Sequence, residues 1–236
     1  MYSKIAPYVP DAVKKRMRLI GAFSVIAACV AAFIKIAGEV VEGGTRGFDE
    51  AILLSLRTPD ALDKPIGPWW LEVLVSDFTA MGSAAVLVFM SVAVGGYFLL
   101  SHRPMRAVLV LGSFAGAQVM NNLLKLGFAR PRPSVVSHLG DVHTLSFPSG
   151  HAMLSAVIYL TLGMLLSSAQ PQRPVRIYIM GVAVLMTALI GLSRIYLGVH
   201  YPTDVLAGWA AGVAWACLCG LLVMAYENRA TGKTIR

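Results

Sequence analysis

Apolar residues in this chain run without alternation for stretches near twenty residues, and polar residues gather in the gaps between them. Six such runs stand out, at about residues 19–37, 79–100, 105–124, 151–167, 175–192 and 203–226. A run of that length matches the thickness of a bilayer's hydrocarbon core. Inside lipid each segment must pair its own backbone groups, so the runs are predicted to be transmembrane helices. The pattern therefore predicts an all-α, polytopic membrane protein with six transmembrane helices. Residues 19–228 form one membrane domain between basic tails at 1–18 and 229–236. Between the first two spans, Phe48, Ile52, Leu53 and Leu56 recur at helical spacing, with Arg46, Asp49, Glu50 and Arg57 between them. That spacing predicts a short amphipathic helix at the membrane interface. Pro65, Gly67 and Pro68 break it, and Trp69 and Trp70 then read as interfacial anchors. The loop at 42–78 reads first as a connector, with a lipid-entry gate as the functional alternative. Asp77 is expected to cap the second span, and Lys35 to pair with Glu39 one turn on.

Composition agrees with a membrane protein: 57% of the 236 residues are hydrophobic and 14% are charged. The net charge of +8 invites a nucleic-acid reading. Its distribution rejects one. Lys4, Lys14, Lys15, Arg16 and Arg18 precede the first span, Arg103 and Arg106 separate the second and third, Arg173 and Arg176 the fourth and fifth, and Arg229, Lys233 and Arg236 follow the sixth. With six alternating helices all four clusters share one side, which the positive-inside rule makes cytoplasmic, with both termini. Of the twelve acids, all but Asp11 and Glu227 fall on the other side or at its edge. The first span is long for a cleaved signal. Cys29, Cys217 and Cys219 lie within spans and read as small apolar residues.

Candidate chemistry collects at the outer ends of the spans. Phe147-Pro148-Ser149-Gly150-His151 opens the fourth: Ser149 is a good N-cap, and a helix start offers free N–H groups and partial positive charge to an anion. Lys125-x6-Arg132-Pro133 leaves the third span, Ser193-Arg194 closes the fifth, and His200-x3-Asp204 opens the sixth. Lys125, Arg130, Arg132 and Arg194 are cations on a face that should be poor in them, and a bound multivalent anion would hold them there. Arginine forks suit phosphate, and such a cage stabilises the charge of phosphoryl transfer. Asp204, one turn beyond His200, orients one ring nitrogen and exposes the other as a nucleophile, while His151 supplies an acid. Gln118, Asn121, Asn122 and Lys125 share one face of the third span, where polar groups face a bundle interior or a cavity. Gly112-x-x-x-Gly116 and Gly208-x-x-x-Gly212 predict close helix contacts.

Lys125-x6-Arg132-Pro133, Pro148-Ser149-Gly150-His151 and Ser193-Arg194-x5-His200-x3-Asp204 together closely resemble the three motifs of the type 2 phosphatidic acid phosphatase superfamily. The resemblance implies an integral membrane lipid phosphatase that hydrolyses a phosphomonoester or pyrophosphate through a phosphohistidine. His200 would be the nucleophile, Asp204 its orienting partner and His151 the acid. Lys125, Arg132, Ser149, Gly150 and Arg194 would bind the phosphate. It implies no metal and no cofactor. Bacterial members of this size resemble phosphatidylglycerophosphate, undecaprenyl pyrophosphate and lipid A phosphatases, and the motifs do not separate them. The expected setting is the bacterial inner membrane, with the site facing the periplasm and a membrane lipid phosphate as substrate. A lipid phosphotransferase using the same site is the alternative. A transporter lined by Lys35, Asn121, Asn122 and Lys125 is a remoter one, as is a metal site at His138, Asp141 and His143.

Overall fold

The computed structural model describes residues 11–140 and 144–230. The elements run α1 (Asp11–Val41), α2 (Arg46–Ser55), β1 (Arg57–Thr58), β2 (Ala61–Pro65), α3 (Trp69–Ala80), α4 (Ala84–Leu100), α5 (Pro104–Phe128), α6 (Gly150–Ser168), α7 (Arg173–Tyr196) and α8 (Pro202–Ala230). Proline sits in the first turn of α5 and of α7 and opens α8, where its missing N–H costs nothing. Among the described residues five helices, α1, α5, α6, α7 and α8, are long and apolar enough to cross a membrane alone. The run expected over 79–100 is largely filled by α4, while α3 forms in the stretch expected to end the preceding loop, and the two reach spanning length only when joined across a 46° bend. Asp77 accordingly lies inside α3 and caps nothing; Ser83 caps α4, its hydroxyl accepting from the Val86 N–H at 3.4 Å.

α6 is the centre of the bundle. Half of its spanning window is buried inside the protein, against none of α1's. Met153, Leu154, Val157 and Ile158 of α6 pack with Leu87 of α4 and Ala117 of α5. α8 crosses α6 at backbone contact: a Cβ at Gly208 would stand 2.7 Å from the Ser149 carbonyl oxygen, and one at Gly212 2.5 Å from that of Met153. In lipid, where hydrophobicity gives helices no reason to associate, small residues that admit such contact supply the packing. Gly116 of α5 similarly receives the Trp215 ring, whose Nε1 donates to the Ser113 carbonyl at 2.9 Å. Its motif partner Gly112 meets nothing within 4 Å, so half of that expected contact is not made.

The segment between α1 and α4 departs most from the periodicity. α2 forms where expected, but it buries Asp49 completely along with Leu53 and leaves Phe48 exposed. Arg57 is not on the polar face of a helix. It opens a two-stranded antiparallel hairpin, is 2% exposed, and donates to the carbonyls of Tyr196 at 2.9 Å and Ser137 at 3.4 Å. Those bonds pin the hairpin to the loop between α5 and α6 and to the end of α7, where the turn toward α8 begins. Gly198 in that turn has φ +73°, a conformation that favours glycine, and a Cβ there would overlap Arg57 Nη2. Trp69 and Trp70 stand exposed on the first turn of α3. Among the described residues Lys35 and Glu39 form no ion pair, and the three cysteines are free.

Candidate active site

Four helix ends meet at one end of the bundle: the last turns of α5 and α7 and the first turns of α6 and α8. They enclose a cavity of about 300 Å³ lined by Lys125, Arg132, Gly150, His151, Arg194 and His200, with Gly82 at the α3–α4 bend and Thr144 at its rim. Ser149 and Asp204 are fully buried beside it. All eight site residues expected from the sequence therefore converge. The start of α6 is held by Phe147, which is fully buried between Phe33 of α1 and Phe128 of α5 at ring distances of 5.8 and 4.8 Å. The Ser149 N–H donates to the Asp204 carbonyl at 3.0 Å, tying the α6 start directly to the α8 start.

Each cation is aimed by the backbone around it. Lys125 Nζ donates to the Leu145 carbonyl. Arg132 is locked in a loop: Nε donates to the Thr144 carbonyl at 2.7 Å, Nη2 to the Thr144 hydroxyl at 3.1 Å, and Nη1 to the Val199 carbonyl at 2.5 Å. Burial works against its charge and Asp204 supports it, with a net lowering of its pKa. Arg194 Nη1 donates to the Thr79 hydroxyl at 2.8 Å, while its Nε is buried with no hydrogen-bond partner. Ser149 occupies the N-cap position in extended conformation, but its hydroxyl caps nothing and is likewise buried without a partner. The expected capping bond is not made, and the hydroxyl stays available at the head of α6. Unpaired donors gathered at one helix start suit an oxyanion.

His200 divides its two nitrogens between the cavity and the interior. Nε2 lies 3.3 Å from Arg132 Nη1, on the cavity side. Nδ1 lies 3.4 Å from Asp204 Oδ2 and equally far from the Ser146 hydroxyl, which itself donates to Asp204 Oδ2 at 2.5 Å. Burial lowers the His200 pKa to about 3, with Asp204 only partly opposing it. The ring is thus neutral near pH 7. A proton on Nδ1 facing Asp204 leaves the Nε2 lone pair toward the cavity.

Behind Asp204 lies a network that the motifs do not mark. Arg130 donates through Nη1 to Asp204 Oδ1 at 2.6 Å and through Nη2 to Asp49 Oδ2 at 2.8 Å. Asp49 also accepts from the Thr203 N–H at 3.0 Å and the Thr203 hydroxyl at 2.7 Å. Burial opposes the Arg130 charge, but the two carboxylates outweigh it and its pKa rises. Arg130, read from the sequence as one more cage cation, faces away from the cavity. Ser146 and Thr203 went unmarked, and Asp49 reads in the sequence only as a polar position of an amphipathic helix, because single serine, threonine and aspartate residues carry no signal by themselves. Among the described residues no group of three His, Cys, Asp or Glu side chains is placed to hold a metal; Asp141 and His143 lie outside them. His138 instead donates to the Pro133 carbonyl at 2.6 Å.

The sequence profile of the PAP2 superfamily matches residues 106–228. Phosphatidylglycerophosphatase B of Bacillus subtilis is 28% identical over 187 residues, covering 77% of this chain and 86% of that protein. An undecaprenyl-diphosphatase of Sulfolobus acidocaldarius is 42% identical over 107 residues, covering 42% of this chain and 47% of that one. The fold is similar to the crystal structure of a transmembrane PAP2-type phosphatidylglycerolphosphate phosphatase from Bacillus subtilis, with a TM-score of 0.75 and 26% identity over 86% of this chain and 96% of that one.

Proposed function

Because the chain belongs to the PAP2 superfamily and is a membrane lipid phosphatase, we propose that it hydrolyses a lipid phosphomonoester or diphosphate through a phosphohistidine, without a metal. The observation that carries this reading is the orientation of His200. Its Nε2 faces a cavity ringed by Lys125, Arg132 and Arg194, and its Nδ1 backs onto Asp204. Nε2 attacks phosphorus as the bond from phosphorus to the leaving oxygen breaks. Proton transfer from His151 neutralises that oxygen. His151 then takes a proton from water, the water oxygen displaces His200, and orthophosphate leaves. Lys125, Arg132, Arg194, the Ser149 hydroxyl and the Gly150 N–H hold the phosphoryl oxygens and stabilise the charge they gain in the transition state.

Access of the lipid from the bilayer is supported by the extension of the cavity along α5 from Lys125 to Gln118, toward the middle of that helix. Arg103 and Arg106 at the start of α5, and Arg173 and Arg176 at the start of α7, lie at the helix ends opposite Lys125 and Arg194. By the positive-inside rule this supports cytoplasmic termini and a site on the outer, periplasmic face of the inner membrane.

The test is phosphate release from phosphatidylglycerophosphate, undecaprenyl diphosphate and lipid A by the full chain in detergent, with chelator present. His200→Ala removes the nucleophile and His151→Ala the acid, and the acid term alone is worth on the order of 10²–10⁴ in rate. Both variants should lose release while still inserting in membranes, and the parent should carry acid-labile label from a radioactive substrate. Normal turnover in either variant would sink the mechanism.

A further inference from the structure

The cavity does not end at the cations. It continues along α5 past Lys125 to Asn122, Asn121 and Gln118, with Leu154 of α6 and Ala84 of α4 opposite. Seven residues of helix are about 10 Å, and they lead from the end of α5 toward its middle. Asn121 is 4% exposed and its Oδ1 has no hydrogen-bond partner. Gln118 Oε1 is also buried and unpartnered, its Nε2 being used on Asn122 Oδ1 at 3.3 Å. Buried amide oxygens without partners are costly within a span, where such groups face the bundle interior or a cavity, and both residues line this one. Asn121 also lies against the first turn of α6: a Cβ at Gly150 would stand 3.2 Å from its Nδ2. The amides therefore adjoin the helix turn that carries His151, the side from which a leaving oxygen departs.

Resting on the phosphatase reading, we propose that Gln118 and Asn121 form a headgroup subsite for a leaving alcohol that carries a hydroxyl beside its phosphoester. Glycerol and sugar headgroups have that chemistry; a bare polyprenyl diphosphate does not. A hydroxyl donates to an amide oxygen. A second phosphate only accepts, and it is anionic. The cations that would hold it, Lys125, Arg132 and Arg194, are all at the first phosphate's position, and none lies along α5 between Gln118 and Asn122.

Two lipids test this: phosphatidylglycerophosphate, and an analogue in which the glycerol hydroxyl next to the phosphomonoester is replaced by hydrogen. The readout is the ratio of their kcat/KM values, which cancels any loss of folded protein. The parent chain should prefer the hydroxyl-bearing lipid by about five- to tenfold, the worth of one net hydrogen bond. Gln118→Leu and Asn121→Ala should each bring the ratio toward one. Equal turnover of the two lipids by the parent, or a preference that survives in both variants, overturns the subsite. So does a parent that hydrolyses undecaprenyl diphosphate and neither glycerol lipid. A parent that releases phosphate from none of these three and not from lipid A overturns the phosphatase reading itself.

Discussion

His200 concentrates the residue-scale physics of this protein. Its ring is buried to 1% exposure, touches a carboxylate on one side and a guanidinium on the other, and is held neutral by burial. Folding lowers its pKa from 6.5 to about 3, so the unfolded chain binds a proton that the folded chain refuses over that range. The sign follows: the contribution is fully present above about pH 6.5 and is lost as pH falls toward about 3. The melting temperature of the full chain in detergent should therefore fall between about pH 7 and about pH 4, and His200→Gln should flatten the slope. An identical slope in the variant would assign the acid sensitivity elsewhere. The motif residues were legible because phosphoryl transfer tolerates few side-chain types, and their spacing is rigid. The Ser146 hydroxyl and the inward aim of Arg130 were not, since both depend on where an irregular loop folds back.

At the scale of elements, the decisive feature is the bend between α3 and α4. Hydropathy marks the run that becomes α4 and leaves most of α3 in the preceding loop, and only packing shows that the two helices meet at a 46° bend. Gly82 makes that turn fit: a Cβ there would overlap Ile190 Cγ2 of α7 and stand 3.3 Å from His151 Cδ2. Gly82→Ala should lower both the melting temperature and the rate, with an overpacking cost of about 1–3 kcal/mol. Adding Ile190→Ala in the same chain should restore part of each. If the double variant is no better than the single one, the clash is not the cause. Periodicity placed Ile52, Leu53 and Leu56 on the face that packs inward, but it missed the burial of Asp49 and the exposure of Phe48. Asp49 reads as solvent-facing until Arg130, eighty-one residues away, is brought against it.

Across the whole molecule, Asp49, Arg130 and Asp204 link α2, the loop after α5 and α8 through two buried ion pairs. Residue 49 lies outside residues 106–228, which match the PAP2 profile, so the network behind the His200–Asp204 pair reaches beyond that stretch of the chain. Removing one partner from a buried pair leaves an uncompensated charge and costs about 3–5 kcal/mol. Asp49→Asn keeps the shape and removes the charge. It should lower stability by an amount of that order, measured by denaturant unfolding in detergent, and slow phosphate release through the loosened Arg130–Asp204 contact. Unchanged stability with unchanged rate would show that the pair is idle.

By itself the sequence determined that this is a helical protein with several membrane spans, and it marked the polar and charged residues that gather at one end of the bundle. Each of these follows from local composition or fixed spacing, which a linear string carries in full. Tertiary structure decided the bend at Gly82, the inward faces of α2, the hairpin that Arg57 pins, and the choice of Arg130 as a brace for Asp204 instead of a ligand for phosphate. Those outcomes depend on which distant groups share a buried space, where an unpaired charge or an overlapping methyl is too costly to persist.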